Sequence, residues 1–268
     1  MCTLTLAWRA FDDAPVALAA NRDEAMDRPA EPPALRGDDD DRFVAPRDAE
    51  AGGTWIGVSA SGVVVAITNR WLDADRQADR SRGLLVRDCL QTDSATETVE
   101  AVERAVASRS YDGFNLAIAD GDDAFLLSYD GELTVTPLDP GVHVVGNVGG
   151  VVNGVERFSV PDRRREVGEE RVESARSVAS ALPPEPGESS EEWLDRASAT
   201  LADHAYGACL HGDGFGTRSF TRIRTTADAD GSVAFAYADG PPCETPAEPV
   251  SLPAGFGAVG SRGADRSA

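Results

Sequence analysis

Residues 1–24 read MCTLTLAWRAFDDAPVALAANRDE. A thiol stands at the second position, and a dense polar quartet, Asn21-Arg22-Asp23-Glu24, closes the second apolar run. Residues 3–6 alternate polar and apolar, the mark of a half-buried strand. Residues 12–15, Asp-Asp-Ala-Pro, make a turn, and residues 16–20 are apolar enough for a central strand. If that strand continues through the quartet, period two places Asn21 and Asp23 on one face and Arg22 and Glu24 on the other. Two readings of the quartet stand at this level. It is a polar strand end running into a loop with Pro29, Pro32 and Pro33, or a hairpin returns it to the side of Cys2.

The position of Cys2 gives the second reading chemical content. Removal of Met1, which a small second residue permits, would leave a thiol and a free α-amine on one residue. An α-amine titrates at about 7.7–8.0, so part of it is a neutral base at pH 7. Nucleophile and base then sit together, the activation logic of N-terminal nucleophiles. Such a thiol is expected to have a depressed pKa and to react faster than Cys89, Cys209 or Cys243.

Working outward, the chain has 268 residues, enough for one large domain or two small ones. Its formal net charge is −21, and all 25 basic residues are Arg. An acidic, lysine-free surface fits concentrated salt, where screening removes self-repulsion, or a cationic partner. Nucleic acid and anionic membranes are disfavoured as partners by the same number. No stretch nears the ~20 apolar residues of a membrane span, and the N-terminus lacks a signal-peptide pattern, so a cytoplasmic protein is expected. Four cysteines without a close pair suggest neither a zinc knuckle nor a disulfide framework. With three histidines, His143, His204 and His211, no metal site is expected.

Further along, residues 37–41 hold a four-Asp run without EF-hand spacing, read as a solvated loop. Strands are predicted at 52–59, 63–68, 114–119, 124–127, 133–136 and 141–145, and a last hairpin at 219–226 and 232–238. Ser81, Ser94 with Glu97, and Ser189 with Glu192 are predicted helix caps. Cys89 falls on an apolar helix stripe, and Val172, Ala175, Val178 and Leu182 share a face. Trp193 reads as core packing. Strands interspersed with helix pairs give an α+β class with helices layered on antiparallel sheets. The domain is expected over 1–238, with 239–268 a Pro/Gly-rich flexible tail. Repeats, a P-loop and GxGxxG after a strand are all absent from the sequence.

Met1-Cys2-Thr3, the Asn21–Glu24 quartet, Gly52-Gly53-Thr54-Trp55-Ile56-Gly57, Thr68-Asn69, Gly113-Phe114-Asn115-Leu116 and Gly216-Thr217-Arg218-Ser219 occur in order. Together they resemble the NRDE family, also called the transport and Golgi organisation family. That family in turn resembles N-terminal nucleophile (Ntn) hydrolases of the choloylglycine hydrolase and penicillin V acylase kind. The resemblance implies a four-layer αββα sandwich. It also implies catalytic positions at Cys2 (nucleophile), Asp23 (orienting the amine), Asn69 and Asn147 (oxyanion region) and Arg218 (near the nucleophile). Asn21, Arg22, Glu24, Trp55 and Asn115 are implied as substrate-binding or supporting residues. The plain structural readings are a salt-bridged strand end for Asp23, turn residues for Asn69 and Asn147, and a surface charge for Arg218. One departure stands out: the hydrolases carry an arginine three residues before the aspartate, where this chain has Ala20. Arg22 lies close by, on the opposite strand face by period two.

Two functions follow from the resemblance. One is hydrolysis of an amide or thioester of a small molecule by Cys2, without a cofactor. The other is a carrier or chaperone for haem or an acyl-lipid such as acyl-CoA, in which Cys2 could ligate iron as thiolate. Fold alone does not choose between them.

Overall fold

The computed structural model describes residues 2–38, 41–74, 76–226, 232–253 and 256. In chain order the strands begin with β1 (Cys2–Phe11), β2 (Ala14–Ala25), β3 (Ala30–Arg36), β4 (Phe43–Asp48), β5 (Ile56–Ser59) and β6 (Val64–Asn69). Helices α1 (Arg82–Cys89) and α2 (Ala95–Ser108) follow. Next come β7 (Phe114–Ala119), β8 (Ala124–Tyr129), β9 (Leu133–Pro137), β10 (Gly141–Gly146), β11 (Gly149–Val152) and β12 (Val155–Phe158). Helices α3 (Arg165–Ala181) and α4 (Ser190–Ala202) precede β13 (Phe215–Thr225), β14 (Val233–Ala238) and a short β15 (Glu248–Pro249).

Among the described residues the strands form two antiparallel sheets. One runs β12-β11-β10-β1-β2-β13-β14-β15 and the other β3-β4-β5-β6-β7-β8-β9. Period two decides which side chains meet which layer. Leu4, Leu6 and Trp8 of β1 and Val16 and Leu18 of β2 point between the sheets, against Ile56, Val58, Val64 and Ala66. The alternate residues Ala7, Ala17 and Ala19 lie under α3 and α4, packed with Val178, Leu182, Trp193 and Leu194. Helices α1 and α2 cover the other sheet through Leu85, Val86, Val99 and Val102 on Val65, Leu116, Ile118 and Leu127. The result is the expected four-layer αββα sandwich. The layers pack chiefly by apolar burial, the dominant favourable term in folding.

The predicted caps form. Ser81 Oγ accepts from Gly83 N, Ser94 Oγ from Glu97 N, and Ser189 with Glu192 makes a full capping box. Trp193 is fully buried and its indole N–H donates to Leu182 O at 3.0 Å. The turn of the last hairpin (227–231) and part of the four-Asp run (39–40) lie outside the described residues.

The flexible tail expected over 239–268 needs correction for residues 239–253 and 256, and its remainder lies outside the described residues. The chain beyond β14 turns at Pro241, adds β15 to the sheet edge, and packs Val250, Leu252 and Phe256 on the inter-sheet core. Proline and glycine there shape a close-fitting turn and edge strand, and three apolar side chains suffice to anchor it. Among the described residues no helix is long and apolar enough to cross a membrane.

Candidate active site

β1 lies at the centre of its sheet, between β10 and β2, so Cys2 emerges where three strand ends converge. Across to β2 its direct partner is Arg22, as Leu4 is the partner of Ala20. Ala20, Arg22 and Cys2 therefore share the inter-sheet face, which corrects the opposite-face expectation for Arg22. Two residues along a strand return to the same face, so a guanidinium lies on the thiol's side of the sheet without an arginine at position 20. It stacks 4.0 Å over the Trp55 ring and stands 3.7 Å from Glu24 and 3.8 Å from Asp48.

On the β10 side, the backbone N of Cys2 donates to Asn147 Oδ1 at 3.3 Å, and Asn147 Nδ2 donates to Asn69 O at 2.6 Å. Asn147, just past β10, thus ties the nitrogen of Cys2 to the end of β6. Its side chain is occupied with main-chain groups, so its geometry is that of an orienting residue more than of an oxyanion donor. Asn115 sets this arrangement from behind: its Nδ2 donates to Gly146 O at 3.0 Å and to Thr68 Oγ1 at 3.3 Å. Thr68 Oγ1 donates to the same carbonyl at 3.1 Å, stitching one sheet to the other beside Asn147.

Asp23 is 3% exposed, and its Oδ1 accepts from Thr217 Oγ1 at 2.6 Å. Desolvation raises its pKa to about 6, against the downward pull of the N-terminal charge and of Thr217. For Cys2 itself, desolvation pushes the thiol pKa up, with the N-terminal charge pulling down and Asp23 pushing up. The expected depression is therefore not found; burial outweighs the nearby positive charges.

Cys2, Arg22, Asp23, Glu24, Trp55 and Asn69 line one cavity of about 270 Å³. Its remaining wall was not legible in the sequence: Arg28, Asp48, Thr54, Ile67 and the start of α1 from Ser81 to Gly83. Asp48 holds Arg28 at 2.7 Å and caps Glu50 N and Ala51 N. Burial would raise its pKa, but these N–H donors and Arg28 together hold it low. A larger cleft of about 630 Å³ adjoins across Asn69 and Arg82, with Arg70, Trp71, Leu72, Arg163, Arg164 and Phe215 on its walls. The one available signal was Gly52-Gly53: a Cβ on Gly53 would lie 2.1 Å from the Gly83 carbonyl carbon, so only glycine lets α1 close on this loop.

Of the predicted site residues, Asn21, Asn115, Asn147 and Arg218 do not line this cavity; Asn115 and Asn147 make the contacts given above, and the other two lie elsewhere. Asn21 faces the helical layer, where Nδ2 donates to Leu201 O and Ala208 O, both at 3.0 Å. Arg218 is the extra residue of a bulge between Thr217 and Ser219 and is not among the residues lining either cavity. Its charge acts on the buried hydroxyl of Tyr237. An inserted residue shifts the strand's phase, which spacing along the sequence cannot reveal.

A sulfur and nitrogen of one residue, oriented at the end of a central strand between two antiparallel sheets, define an Ntn-hydrolase-like architecture. A Caenorhabditis elegans N-acylethanolamine-hydrolyzing acid amidase ortholog superposes with a TM-score of 0.53 at 13% identity, over 83% of this chain and 92% of that one. The family profile for Transport and Golgi organisation 2 matches residues 1–235, and the chain belongs to that family. A human Transport and Golgi organization protein 2 homolog is 30% identical over 258 residues, covering 84% of this chain and 89% of the relative. A Bos taurus homolog is 32% identical over 152 residues, 51% of this chain and 54% of the relative.

Proposed function

We propose that this protein is an intracellular Ntn-type cysteine hydrolase that cleaves an amide or thioester bond of a small molecule. The observation that carries this reading is the hydrogen bond from Cys2 N to Asn147 Oδ1, with a cavity in front of the nitrogen and the sulfur. After Met1 is removed, the same nitrogen is an α-amine. It takes the thiol proton as sulfur attacks the carbonyl, and returns it to the departing amine or thiol. Water then cleaves the thioester formed on Cys2, with the amine again as base. Asn147 orients the amine, and Arg22 offsets negative charge on sulfur. The Asn69 side chain and Arg82 are the cavity groups available to a developing oxyanion. Arg22, Arg28 and Arg82 with Trp55, and the arginines and Trp71 of the adjoining cleft, favour a substrate with an anionic end and an apolar acyl part.

The test joins mass and turnover. Intact mass of protein made in a host with methionine aminopeptidase should show Met1 absent. An acyl-thioester and acyl-anilide panel with carboxylate or phosphate head groups should then be hydrolysed by the wild type but not by Cys2→Ala. Retained or acetylated Met1 would remove the mechanism. Asn69→Ala should cost about 10²–10³ in kcat if its amide meets the oxyanion.

One observation favours binding without turnover: burial pushes the pKa of the Cys2 thiol up, away from the ready thiolate. In that second reading the same cavity and cleft carry an acyl-lipid. Haem finds little support in the donor set, because Cys2 stands alone among cavity residues as a soft ligand. His143 is engaged with Asp139 O and Asn153 N. Acyl-lipid binding that survives Cys2→Ala, with no hydrolysis by the wild type, would decide for the carrier.

A further inference from the structure

Thirty-four residues separate Cys209 from Cys243, yet their sulfurs lie 3.4 Å apart. His211 Nε2 stands 3.1 Å from the Cys243 sulfur and 3.8 Å from that of Cys209. With His204, four ligand atoms fall within 4.8 Å of one another. We propose that His204, Cys209, His211 and Cys243 bind a structural zinc ion.

Geometry and donor chemistry agree. Zn–S bonds of about 2.3 Å and Zn–N bonds of about 2.0–2.1 Å in a tetrahedron place neighbouring donors roughly 3.3–3.8 Å apart. The three separations, 3.1, 3.4 and 3.8 Å, lie in and just below that range, and His204, whose ring stands edge-on 5.0 Å from that of His211, offers the fourth donor. Two thiolates and two imidazoles suit zinc over magnesium, calcium or manganese. A further feature fits this assignment: while His211 Nε2 faces the sulfurs, its Nδ1 faces Glu244 Oε1 at 3.8 Å. A carboxylate on the far nitrogen is the usual outer partner of a zinc-bound histidine, fixing its tautomer. Binding converts two thiols to thiolates and releases two protons to solvent.

With four protein ligands no position is left for a substrate, so the ion is structural. It would clamp the turn after β14 onto the loop between α4 and β13. That loop is tied to the candidate active site: Leu210 N donates to Thr217 Oγ1 at 2.9 Å, and Thr217 holds Asp23. Ala208 O accepts from Asn21. The ligand order, histidine, cysteine, histidine and a distant cysteine, matches no knuckle spacing, which is why the sequence alone gave no metal site.

Tag-free protein purified in reducing, chelator-free buffer is expected to carry about one zinc per chain by elemental mass spectrometry. Cobalt(II) exchanged into it should give thiolate-to-metal charge transfer and the intense visible bands of a tetrahedral site. Cys243→Ser and His211→Ala should lose the metal, Cys2→Ala should keep it, and a strong chelator should lower Tm by several degrees. Should the ligand variants fail to fold, the cobalt spectrum of the unsubstituted protein still decides. Reduced protein that binds neither ion, a cobalt spectrum without thiolate character, or a Cys209–Cys243 disulfide in protein taken from a reducing cytosol would each overturn the proposal.

Discussion

Asp23 shows what a single buried group does to both stability and reactivity. Its carboxyl is held at about 6, against an ordinary value of 3.8. A raised folded-state pKa stabilises the fold below the unfolded value and loses that contribution as pH rises through the folded one. The native state therefore carries, above pH 6, a cost on the order of 3 kcal/mol at this residue. Asp23→Asn should melt higher than the wild type at pH 8 and no higher at pH 4. The same substitution should erase an inflection near pH 6 in the rate of Cys2 alkylation, read by peptide mass spectrometry after iodoacetamide pulses. Identical pH profiles for the two proteins would mean that Asp23 does not govern the thiol. Thr217→Val, which strips a hydrogen bond from this buried carboxyl, should cost about 1–3 kcal/mol and move the inflection upward.

At the scale of elements, the helix–loop contact at Gly53 and Gly83 sets the cavity wall. Gly53→Ala puts a methyl group into backbone, which cannot rotate away, so α1 must retreat. A loss of about 1–3 kcal/mol is expected from overpacking of this kind, together with weaker Cys2-dependent hydrolysis. A folded Gly53→Ala protein with full activity would show that α1 does not shape the site. Elements of this kind also mark how far the sequence could be read. Hairpins, caps and the apolar stripe of Val172 to Leu182 are local patterns, and the fold keeps them. Cys2, Asp23, Asn69 and Asn147 were legible because each sits at a strand end, where the register of neighbours is nearly fixed. Arg218 sits in a bulge, whose change of phase spacing does not reveal, and Arg82, Arg28 and Asp48 were missed because they reach the cavity from loops and a helix end with no period. Residues 239–253 looked unstructured by composition, yet the turn at Pro241 and the apolar anchors Val250, Leu252 and Phe256 hold them on the core.

For the molecule as a whole, 46 acidic residues face 25 arginines, and arginine pairs such as Arg176–Glu156 and Arg222–Glu191 sit on the surface. Exposed pairs contribute little and weaken with salt, whereas repulsion among the excess carboxylates is relieved by it. Melting temperature is expected to climb from dilute buffer to molar KCl, and a flat or falling curve would assign the acidity to a cationic partner instead. Chain order has a last consequence. Asn147, which holds the nitrogen of Cys2, is made 145 residues after it. At synthesis rates of about 5–20 residues per second, the amino terminus waits roughly 7–30 s before β10 can flank β1. If Met1 is removed as proposed, the enzyme that removes it meets a terminus still open for those seconds, and Asn147 closes on the nitrogen afterwards.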